Sequence, residues 1–229
     1  MGLRTFLGLK RVAIKKKDRP PVNAVLWQRA AERSADFIEP HLKTAMLFDD
    51  RTDLHRFVFD DLPKAGLLLE FGVFEGKSIN FFAKEMRRRG DTRTIFGFDA
   101  FEGLQEHWHG IGYHRSENHF NQSGVAPEVG SNVELVKGWI DETLPAFLEA
   151  HSDSIAFIHI DTDTYLPAKA ILAACKHRLT PGSLILFDEL IDYPGWEDGE
   201  YRALKEEIDD QAYEWVGFAG WAAMLRVKA

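Results

Sequence analysis

The stretch LLLEFGVFEGKSINFFAKEMRRRG (residues 67–90) contains the pattern that decides the fold. An apolar run ends in Glu70, two glycines follow at Gly72 and Gly76, and an amphipathic helix rich in lysine and arginine then begins. This order predicts a buried strand joined to a helix by a glycine turn. The N–H groups and positive end of that helix would face the space beyond the strand. The turn is therefore either a plain connection or part of a binding site.

The same alternation of short apolar runs and amphipathic helices continues along the chain. Further strand-like runs are TIFGFD, NVELVKG, SIAFIHID and SLILFDE, and the clearest helical segments between them are LPAFLEAHS and LPAKAILAACKHRL. The final segments YEWVGFAG and WAAMLRV indicate two antiparallel strands joined by a glycine turn. The pattern predicts an α/β fold, namely a Rossmann-like, seven-stranded, mostly parallel sheet with helices on both faces and an N-terminal helical extension.

The predicted organisation is one folded core preceded by two smaller segments. Residues 1–21 form a basic arm, residues 22–65 a helical extension with a break at Pro40, and residues 66–229 the core. The first 19 residues carry seven Lys or Arg and one Asp, about +6, against −8 for the whole chain, so the remainder carries about −14. The arm is expected to be a loosely docked tail, with contact to a partner or a membrane surface as the alternative.

Composition narrows the class of protein. The acidic body argues against nucleic acid as the main ligand, and no apolar run approaches the roughly 18 residues that span a membrane. The N-terminus lacks the continuous apolar region of a signal peptide. Cys175 is the only cysteine and lies in a helical pattern, where a buried thiol is expected, so a reducing, cytoplasmic location is predicted.

Polar and aromatic residues follow the predicted strands in a way that suits a nucleoside. Asp99 could accept hydrogen bonds from both ribose hydroxyls, or could merely cap a turn. Gly138 and Trp139 follow the next strand and could flank an adenine, although Trp139 could equally be a packing residue. Phe74 stands where a dinucleotide fingerprint has glycine, which disfavours a tightly bound pyrophosphate. Together with Glu70 as an acceptor, these positions predict a nucleoside pocket with a cationic or polar tail at the first turn.

Four acidic residues follow two further strands: Asp161, Asp163, Asp188 and Glu189. Carboxylates that converge in a cleft repel one another unless a cation neutralises them. Oxygen ligands without a nearby cysteine suit Mg²⁺, with Ca²⁺ or Mn²⁺ as alternatives. A metal-free, solvated acidic rim remains the other interpretation, and Asp163 could be a helix N-cap.

Residues 101–132 form the one long polar stretch inside the core, which is typical of a functional or disordered loop. It contains His107, Trp108, His109, Tyr113, His114, Arg115 and His119. We interpret it as a lid that contacts substrate, with a solvated surface loop as the alternative. A zinc site of these histidines is disfavoured by their irregular spacing and the missing cysteine. Tyr193 and Trp196 could wall the acceptor pocket or pack in the core, and His159 is expected to be a hydrogen-bonded interior residue.

The series LEFGVFEGKS, FGFDAFEGL, VKGWIDETLP, IHIDTDTY and LTPGSLILFDELIDYPGW resembles class I S-adenosylmethionine-dependent methyltransferases, in particular the macrocin O-methyltransferase family. The resemblance runs from about residue 66 to the end. It implies S-adenosyl-L-methionine as cofactor, Asp161, Asp188 and Glu189 as ligands of Mg²⁺, and Asp161 or Asp163 as the catalytic base. Many relatives have Asp where this chain has Glu189. The expected cofactor-binding residues are Glu70, Gly72, Phe74, Gly76, Ser78, Asp99, Ala100, Phe101, Gly138, Trp139 and Asp161. The expected substrate-binding residues are His107, Trp108, Tyr165, Tyr193 and Trp196.

The sequence therefore predicts a metal-assisted O-methyltransferase that acts on a hydroxyl of a sugar or polyol-bearing small molecule, as in natural product biosynthesis. The alternatives are a metal-independent methyltransferase and a non-catalytic nucleoside-binding protein of the same fold. Association into a homo-oligomer through the N-terminal helices is suggested by the resemblance alone.

Overall fold

The structure, a computed structural model, describes residues 20–108 and 118–229. These residues form one eight-stranded sheet in the order β1-β7-β8-β6-β5-β2-β3-β4. The strands are β1 Met46–Leu47, β2 Leu67–Phe71, β3 Ile95–Asp99, β4 Val133–Lys137, β5 Ile155–Ile160, β6 Leu179–Phe187, β7 Tyr213–Ala219 and β8 Ala222–Val227. The helices are α1 Val22–Ile38, α2 Arg51–Asp61, α3 Lys77–Arg88, α4 Ile140–Ala150, α5 Tyr165–Cys175 and α6 Glu200–Glu207.

The sheet is parallel except for β8, which runs antiparallel to both β6 and β7. Strands β2 and β5 are buried along their whole length, as expected for a parallel sheet covered on both faces. One core lies under α1, α4, α5 and α6, and a second core lies under α2 and α3. We call the second side of the sheet the α2–α3 face.

Side-chain alternation along β2 and β5 decides which residues meet beneath the helices. Leu69 and Phe71 point into the first core, whereas Leu68 belongs to the core of the α2–α3 face. Glu70 has the same parity as Leu68, and the parallel register pairs it with His159 of β5. Two ionisable residues are therefore neighbours on a buried face of the sheet.

The predicted α/β fold is confirmed, with one more strand than expected. The additional strand is β1, which is only two residues long and pairs in parallel with β7 at the edge of the sheet. Two residues are too few to produce a recognisable alternation in sequence. The predicted final antiparallel pair is β7 and β8, and Cys175 is buried as expected.

The N-terminal helices pack closely on the core. The Trp27 ring of α1 stacks on Trp221 at a centroid distance of 5.8 Å, and Phe37 contacts the Trp215 ring edge-on at 5.5 Å. From α2, Leu54 is fully buried in the second core. The proposed division at residue 65 stays a prediction, and residues 1–19 of the basic arm lie outside the described residues.

Within residues 20–108 and 118–229, the helices are too short or too polar to cross a lipid bilayer.

The order of strands creates a crevice at the centre of the sheet. From β2 the chain moves outward through β3 to β4, and it then returns to place β5 on the other side of β2. Ligands of open α/β sheets bind beyond the carboxyl ends of the strands at such a reversal. The crevice between β2 and β5 is therefore the first place to look for a site.

Candidate functional site

A cavity of about 280 Å³ opens at this crevice. Its wall combines backbone of the glycine turn, acidic side chains and apolar surface. The lining residues are Arg51, Gly72, Phe74, Phe98, Asp99, Ala100, Gly103, Leu104, Gln105, Phe120, Trp139, Ile140, Asp161, Thr162, Asp163, Pro167, Asp188 and Glu189. We call it the central cavity. Polar and charged groups that converge beside apolar side chains in a concave pocket are typical of a small-molecule site.

The carboxylate of Asp99 fixes the shape of the glycine turn. Its Oδ2 accepts hydrogen bonds from the backbone N–H groups of Val73 and Phe74, both at 2.8 Å, and its Oδ1 accepts one from Phe101 at 2.6 Å. Asp99 also lines the central cavity. The two roles considered for it, a turn acceptor and a cavity residue, are therefore compatible, because each carboxylate oxygen can accept more than one hydrogen bond.

Gly72 lies where the turn passes directly over β5. Its φ is +86°, and a Cβ built there would lie 1.8 Å from the carbonyl oxygen of Asp161. Only glycine allows this close passage of two backbones. Gly76, with φ of +76°, begins α3, and a Cβ there would approach the Asn80 and Pro127 side chains at 3.2 Å. The two glycines thus serve the turn, and Gly72 additionally forms part of the cavity wall.

The predicted cofactor residues divide into those that line the central cavity and those that support it from behind. Those in its wall are Gly72, Phe74, Asp99, Ala100, Trp139 and Asp161. Those outside that wall are Glu70, Gly76, Ser78, Phe101 and Gly138, of which Ser78 lines a second cavity described below. Phe101 is a core residue whose backbone N–H binds Asp99, and Gly138 provides a turn with φ of +139°.

Three carboxylates converge at one side of the central cavity. One ligand oxygen each from Asp161, Asp163 and Glu189 lies within 4.8 Å of the others. Burial, followed by repulsion from neighbouring carboxylates, raises the pKa of Asp161 and of Glu189. Glu189 Oε2 is buried without a hydrogen-bond partner among the described residues. Three converging carboxylates, with the buried Glu189 oxygen unpartnered among the described residues, fit a cation.

Asp188 lies at the border between the two sides of the sheet. It lines the central cavity, but its carboxylate contacts basic residues on the α2–α3 face, the side onto which Leu184 and Leu186 of β6 also point. One oxygen is paired with the guanidinium of Arg51, and the other lies 3.5 Å from His55 Nε2 and 3.8 Å from His159 Nε2. Although burial opposes ionisation, these basic partners lower the pKa of Asp188. The three predicted metal ligands are therefore split between two adjacent groups.

A second cavity of about 350 Å³ lies beside the first, between α2, the glycine turn and α3. We call it the α2 cavity. It is lined by Arg51, Thr52, His55, Val73, Phe74, Glu75, Lys77, Ser78, Phe81, Asp161 and Asp188. Sequence reasoning did not identify Arg51, Thr52 and His55 as site residues. The only available signal was a histidine next to apolar positions of a short helix, which is more often a packing residue.

Glu70 and His159 form a buried pair behind the turn. Glu70 Oε1 accepts a hydrogen bond from Ser78 Oγ at 2.9 Å, and Glu70 Oε2 lies 3.1 Å from His159 Nδ1. Burial opposes the charge on His159, but the carboxylates of Asp188 and Glu70 outweigh it and raise its pKa to about 10. Burial raises the pKa of Glu70. The expectation of a hydrogen-bonded interior histidine is confirmed.

The predicted substrate-binding residues and the rest of the lid segment lie in different surroundings. From the lid segment, Gly103, Leu104, Gln105 and Phe120 line the central cavity, whereas His107 is exposed and Trp108 is buried against Tyr193. The lid residues His109, Tyr113, His114 and Arg115 lie outside the described residues.

The remaining three aromatic residues lie in the wall of neither cavity. Tyr193 and Trp196 belong to the first core, and the Tyr193 hydroxyl donates a hydrogen bond to the carbonyl of Glu189. Their arrangement favours the packing role. Tyr165 donates its hydroxyl hydrogen to Glu206 on α6.

Comparison with known proteins gives a consistent result. A family model described as a methyltransferase domain matches residues 69–190. A curated relative, the 8-demethyl-8-(2,3-dimethoxy-alpha-L-rhamnosyl)-tetracenomycin-C 4'-O-methyltransferase of Streptomyces olivaceus, is 28% identical over 149 residues, covering 57% of this chain. The match spans 54% of that relative, which is about half of its length.

Solved structures with similar folds extend the comparison to most of the chain. The calicheamicin methyltransferase CalS11 superposes with a TM-score of 0.63 at 26% identity, covering 91% of this chain and 93% of that one. An apo structure of the same enzyme, described as a TDP-rhamnose 3'-O-methyltransferase, superposes with a TM-score of 0.57 at 25% identity. The match covers 91% of this chain and 95% of that one. The O-methyltransferase NovP shares the fold, with a TM-score of 0.59 at 21% identity. The match covers 78% of this chain and 80% of that one.

Proposed function

The chain belongs to the methyltransferase domain family, whose model matches residues 69–190, and we propose that it is an S-adenosylmethionine-dependent O-methyltransferase that acts on a sugar hydroxyl. The observation that carries this proposal is the continuity of the central cavity. A single cavity joins the glycine turn and Asp99 to Trp139 on one side and to the acidic cluster on the other. A nucleoside site therefore adjoins a group of potential proton acceptors.

The wall of the central cavity fits the adenosine part of the cofactor. Asp99 would accept hydrogen bonds from the ribose, and Trp139 and Ile140 provide an apolar surface for the base. The close passage at Gly72 leaves the cavity free of a side chain at the turn. When bound, S-adenosylmethionine supplies a methyl group already activated by the sulfonium. The task left to the protein is to orient the acceptor oxygen and to remove its proton.

The acidic cluster fits a hard divalent cation such as Mg²⁺. Three carboxylates, one with an unpartnered buried oxygen, offer the oxygen donors that such ions prefer. We propose Asp161, Asp163 and Glu189 as the residues that would hold it, whereas Asp188 is already paired with Arg51. A bound ion would supply positive charge that lowers the pKa of an acceptor hydroxyl.

The proton acceptor would be Asp161, with Asp163 as the alternative. Both line the central cavity, and Asp161 also reaches the α2 cavity. Without a bound cation, burial and neighbouring carboxylates raise the pKa of Asp161, which would make it a stronger base than an exposed aspartate, whereas a cation held by Asp161 would oppose this shift. The structure places Asp163 at φ of +62°, an uncommon conformation for a residue other than glycine.

The acceptor class follows from the relatives rather than from the geometry. The name of the curated relative gives its substrate as a rhamnosyl tetracenomycin, and CalS11 is described as a TDP-rhamnose 3'-O-methyltransferase. A deoxysugar that is free, nucleotide-linked or attached to a natural product is therefore the first class of acceptor to examine. The alternatives are a metal-independent methyltransferase and a non-catalytic nucleoside-binding protein.

Isothermal titration with S-adenosylmethionine tests the cofactor, with NAD as the comparison ligand. We expect saturable binding of S-adenosylmethionine and none of NAD, because Phe74 blocks the tight approach of a pyrophosphate at the turn. The titration is repeated with Mg²⁺. If S-adenosylmethionine does not bind under either condition, the assignment of Asp99 and Trp139 is wrong.

Removing divalent metal tests the role of the acidic cluster. Turnover of TDP-rhamnose should fall by about 10-fold or more after EDTA and return with Mg²⁺, because the charge that lowers the acceptor pKa is lost. The measurement is methyl transfer from radiolabelled cofactor after EDTA has been removed by gel filtration. Unchanged turnover would favour the metal-independent enzyme, whereas no turnover of any deoxysugar, with intact cofactor binding, would favour the binding protein.

A further inference from the structure

Three buried ligand atoms on the α2–α3 face point at one another without a hydrogen-bond partner among the described residues. They are His55 Nε2 of α2, His159 Nε2 of β5 and Asp188 Oδ1 after β6. The three residues are at most 7% exposed. Buried polar atoms nearly always have partners, so three orphaned atoms at one point indicate a missing one.

The distances between these atoms suit coordination of a metal better than direct hydrogen bonding. Asp188 Oδ1 lies 3.5 Å from His55 Nε2 and 3.8 Å from His159 Nε2, and all three atoms fall within 4.8 Å of one another. With metal–ligand distances of about 2.0–2.2 Å, tetrahedral geometry separates two ligand atoms by about 3.4 Å. The observed spacing needs only small side-chain adjustments to enclose an ion.

The surroundings supply the supporting interactions of a metal-binding histidine. The second nitrogen of His159, Nδ1, lies 3.1 Å from the buried carboxylate of Glu70. A carboxylate behind a ligating histidine fixes the ring and strengthens its donor nitrogen. Arg51 occupies the other oxygen of Asp188 and leaves Oδ1 directed at the two rings.

We propose that His55, His159 and Asp188 form a binding site for a divalent transition-metal ion of the Zn²⁺ or Co²⁺ class, separate from the acidic cluster of the central cavity. Two imidazoles and one carboxylate are donors that favour such ions over Mg²⁺. His55 and Asp188 line the α2 cavity, which leaves a fourth coordination position open to that cavity.

The charges around the three ligand atoms suit a cation. The buried carboxylates of Glu70 and Asp188 lie on either side of the His159 ring, at 3.1 Å from Nδ1 and 3.8 Å from Nε2. Two carboxylates this close would attract a divalent cation.

The site would also have a structural consequence. Its ligands come from α2 of the N-terminal extension, from the central strand β5 and from the segment after β6. A bound ion would therefore connect the extension to the sheet beside the glycine turn. This inference does not rest on methyl transfer, because it concerns the binding of a metal to the protein alone.

The test uses the untagged full chain, stripped of metal with a chelator that is then removed. Co²⁺ is titrated while its visible absorption is recorded, and Zn²⁺ is then added to displace it. We expect about one Co²⁺ per chain to give intense ligand-field bands, apart from any Co²⁺ held by the carboxylates of the acidic cluster. His55→Gln and His159→Gln should each lower the affinity for Co²⁺ by about 100-fold or more. Loss of a residue that only supports a ligand already lowers metal affinity by about 10- to 100-fold. Zn²⁺ should raise the Tm of the unsubstituted protein but not of the His55→Gln variant.

Two control variants separate this site from other sources of binding. His177 is exposed in the turn before β6, so His177→Gln should leave the Co²⁺ spectrum unchanged. Asp163→Asn alters the acidic cluster and should also preserve the spectrum. Equal Co²⁺ affinity in the unsubstituted protein and in His55→Gln would overturn the proposal, as would the absence of stoichiometric binding. If His159→Gln does not fold because Glu70 loses its partner, His55→Gln decides the question.

Discussion

Replacing Asp161 by Asn should lower kcat by about 10²- to 10⁴-fold, the range lost when a general base is removed. The dissociation constant for S-adenosylhomocysteine should change only a few-fold. The substitution keeps the size of the side chain, and the Asp161 backbone N–H remains held by the Phe71 carbonyl at 2.8 Å. Methyl transfer to a deoxysugar and isothermal titration measure the two quantities.

Stability provides an independent readout for the same variant. Burial and like charges raise the pKa of Asp161 in the folded protein, so its ionised form destabilises the fold above its unfolded pKa. The contribution is absent at low pH and grows as the pH rises towards the folded pKa. Asn carries no charge, so the free energy of unfolding of Asp161→Asn at neutral pH should equal or exceed that of the unsubstituted protein. A variant that is inactive yet no less stable cannot be explained by misfolding.

The matched control is Asp153→Asn. Asp153 is exposed and precedes β5 at the opposite end from Asp161, so the same chemical change is made far from both cavities. Its kcat and stability should be unchanged. If Asp161→Asn retains full turnover, Asp161 is not the base, and Asp163 becomes the residue to substitute next.

The fold was predictable because its signals are local and repeated. Each buried strand of the core is a short apolar run, and the glycine turn after β2 requires its own unusual backbone angles at Gly72 and Gly76. Strand β1 escaped prediction because its two residues, Met46 and Leu47, are ordered by pairing with β7 and have no pattern of their own.

The grouping of the acidic residues was harder to foresee. Asp188 and Glu189 look like a pair in sequence, yet adjacent residues at the end of a strand tend to point to opposite sides. Glu189 joins Asp161 and Asp163, whereas Asp188 faces His55 and His159. The alternation rule was available from the sequence and would have separated them.

Residues from the N-terminal extension illustrate what sequence cannot supply. Arg51 and His55 reach the site because α2 docks over the carboxyl ends of β5 and β6 on the α2–α3 face. That docking depends on long-range packing of residues such as Leu54 in the second core. No local pattern reports which face a short amphipathic helix will cover.

Gly72→Ala should lower the free energy of unfolding by about 3 kcal/mol or more. A left-handed φ costs a residue with a Cβ about 1–2 kcal/mol, and overpacking of a dense core adds about 1–3 kcal/mol. At Gly72 both effects apply, because φ is +86° and the new Cβ would lie 1.8 Å from the Asp161 carbonyl oxygen. Urea denaturation followed by circular dichroism measures the change.

The same substitution should weaken the binding of S-adenosylhomocysteine by about tenfold or more, which corresponds to 1.4 kcal/mol or more. Relief of the overlap must move the turn and the end of β5 apart by about 1 Å, since packed interiors contain no spare volume. That movement shifts the turn that Asp99 fixes and displaces Asp161 from the cavity wall. Isothermal titration of the folded fraction gives the affinity.

The Gly90→Ala variant distinguishes the cost of a left-handed backbone from the cost of the close approach between the glycine turn and β5. Gly90 also has a left-handed φ, +76°, but a Cβ there would meet nothing within 4 Å. Its substitution should therefore cost only the conformational term of about 1–2 kcal/mol and leave cofactor affinity unchanged. If Gly72→Ala resembles Gly90→Ala in both measurements, the contact between the turn and β5 does not shape the site. If Gly72→Ala alone loses affinity, that backbone contact holds the cofactor cavity open.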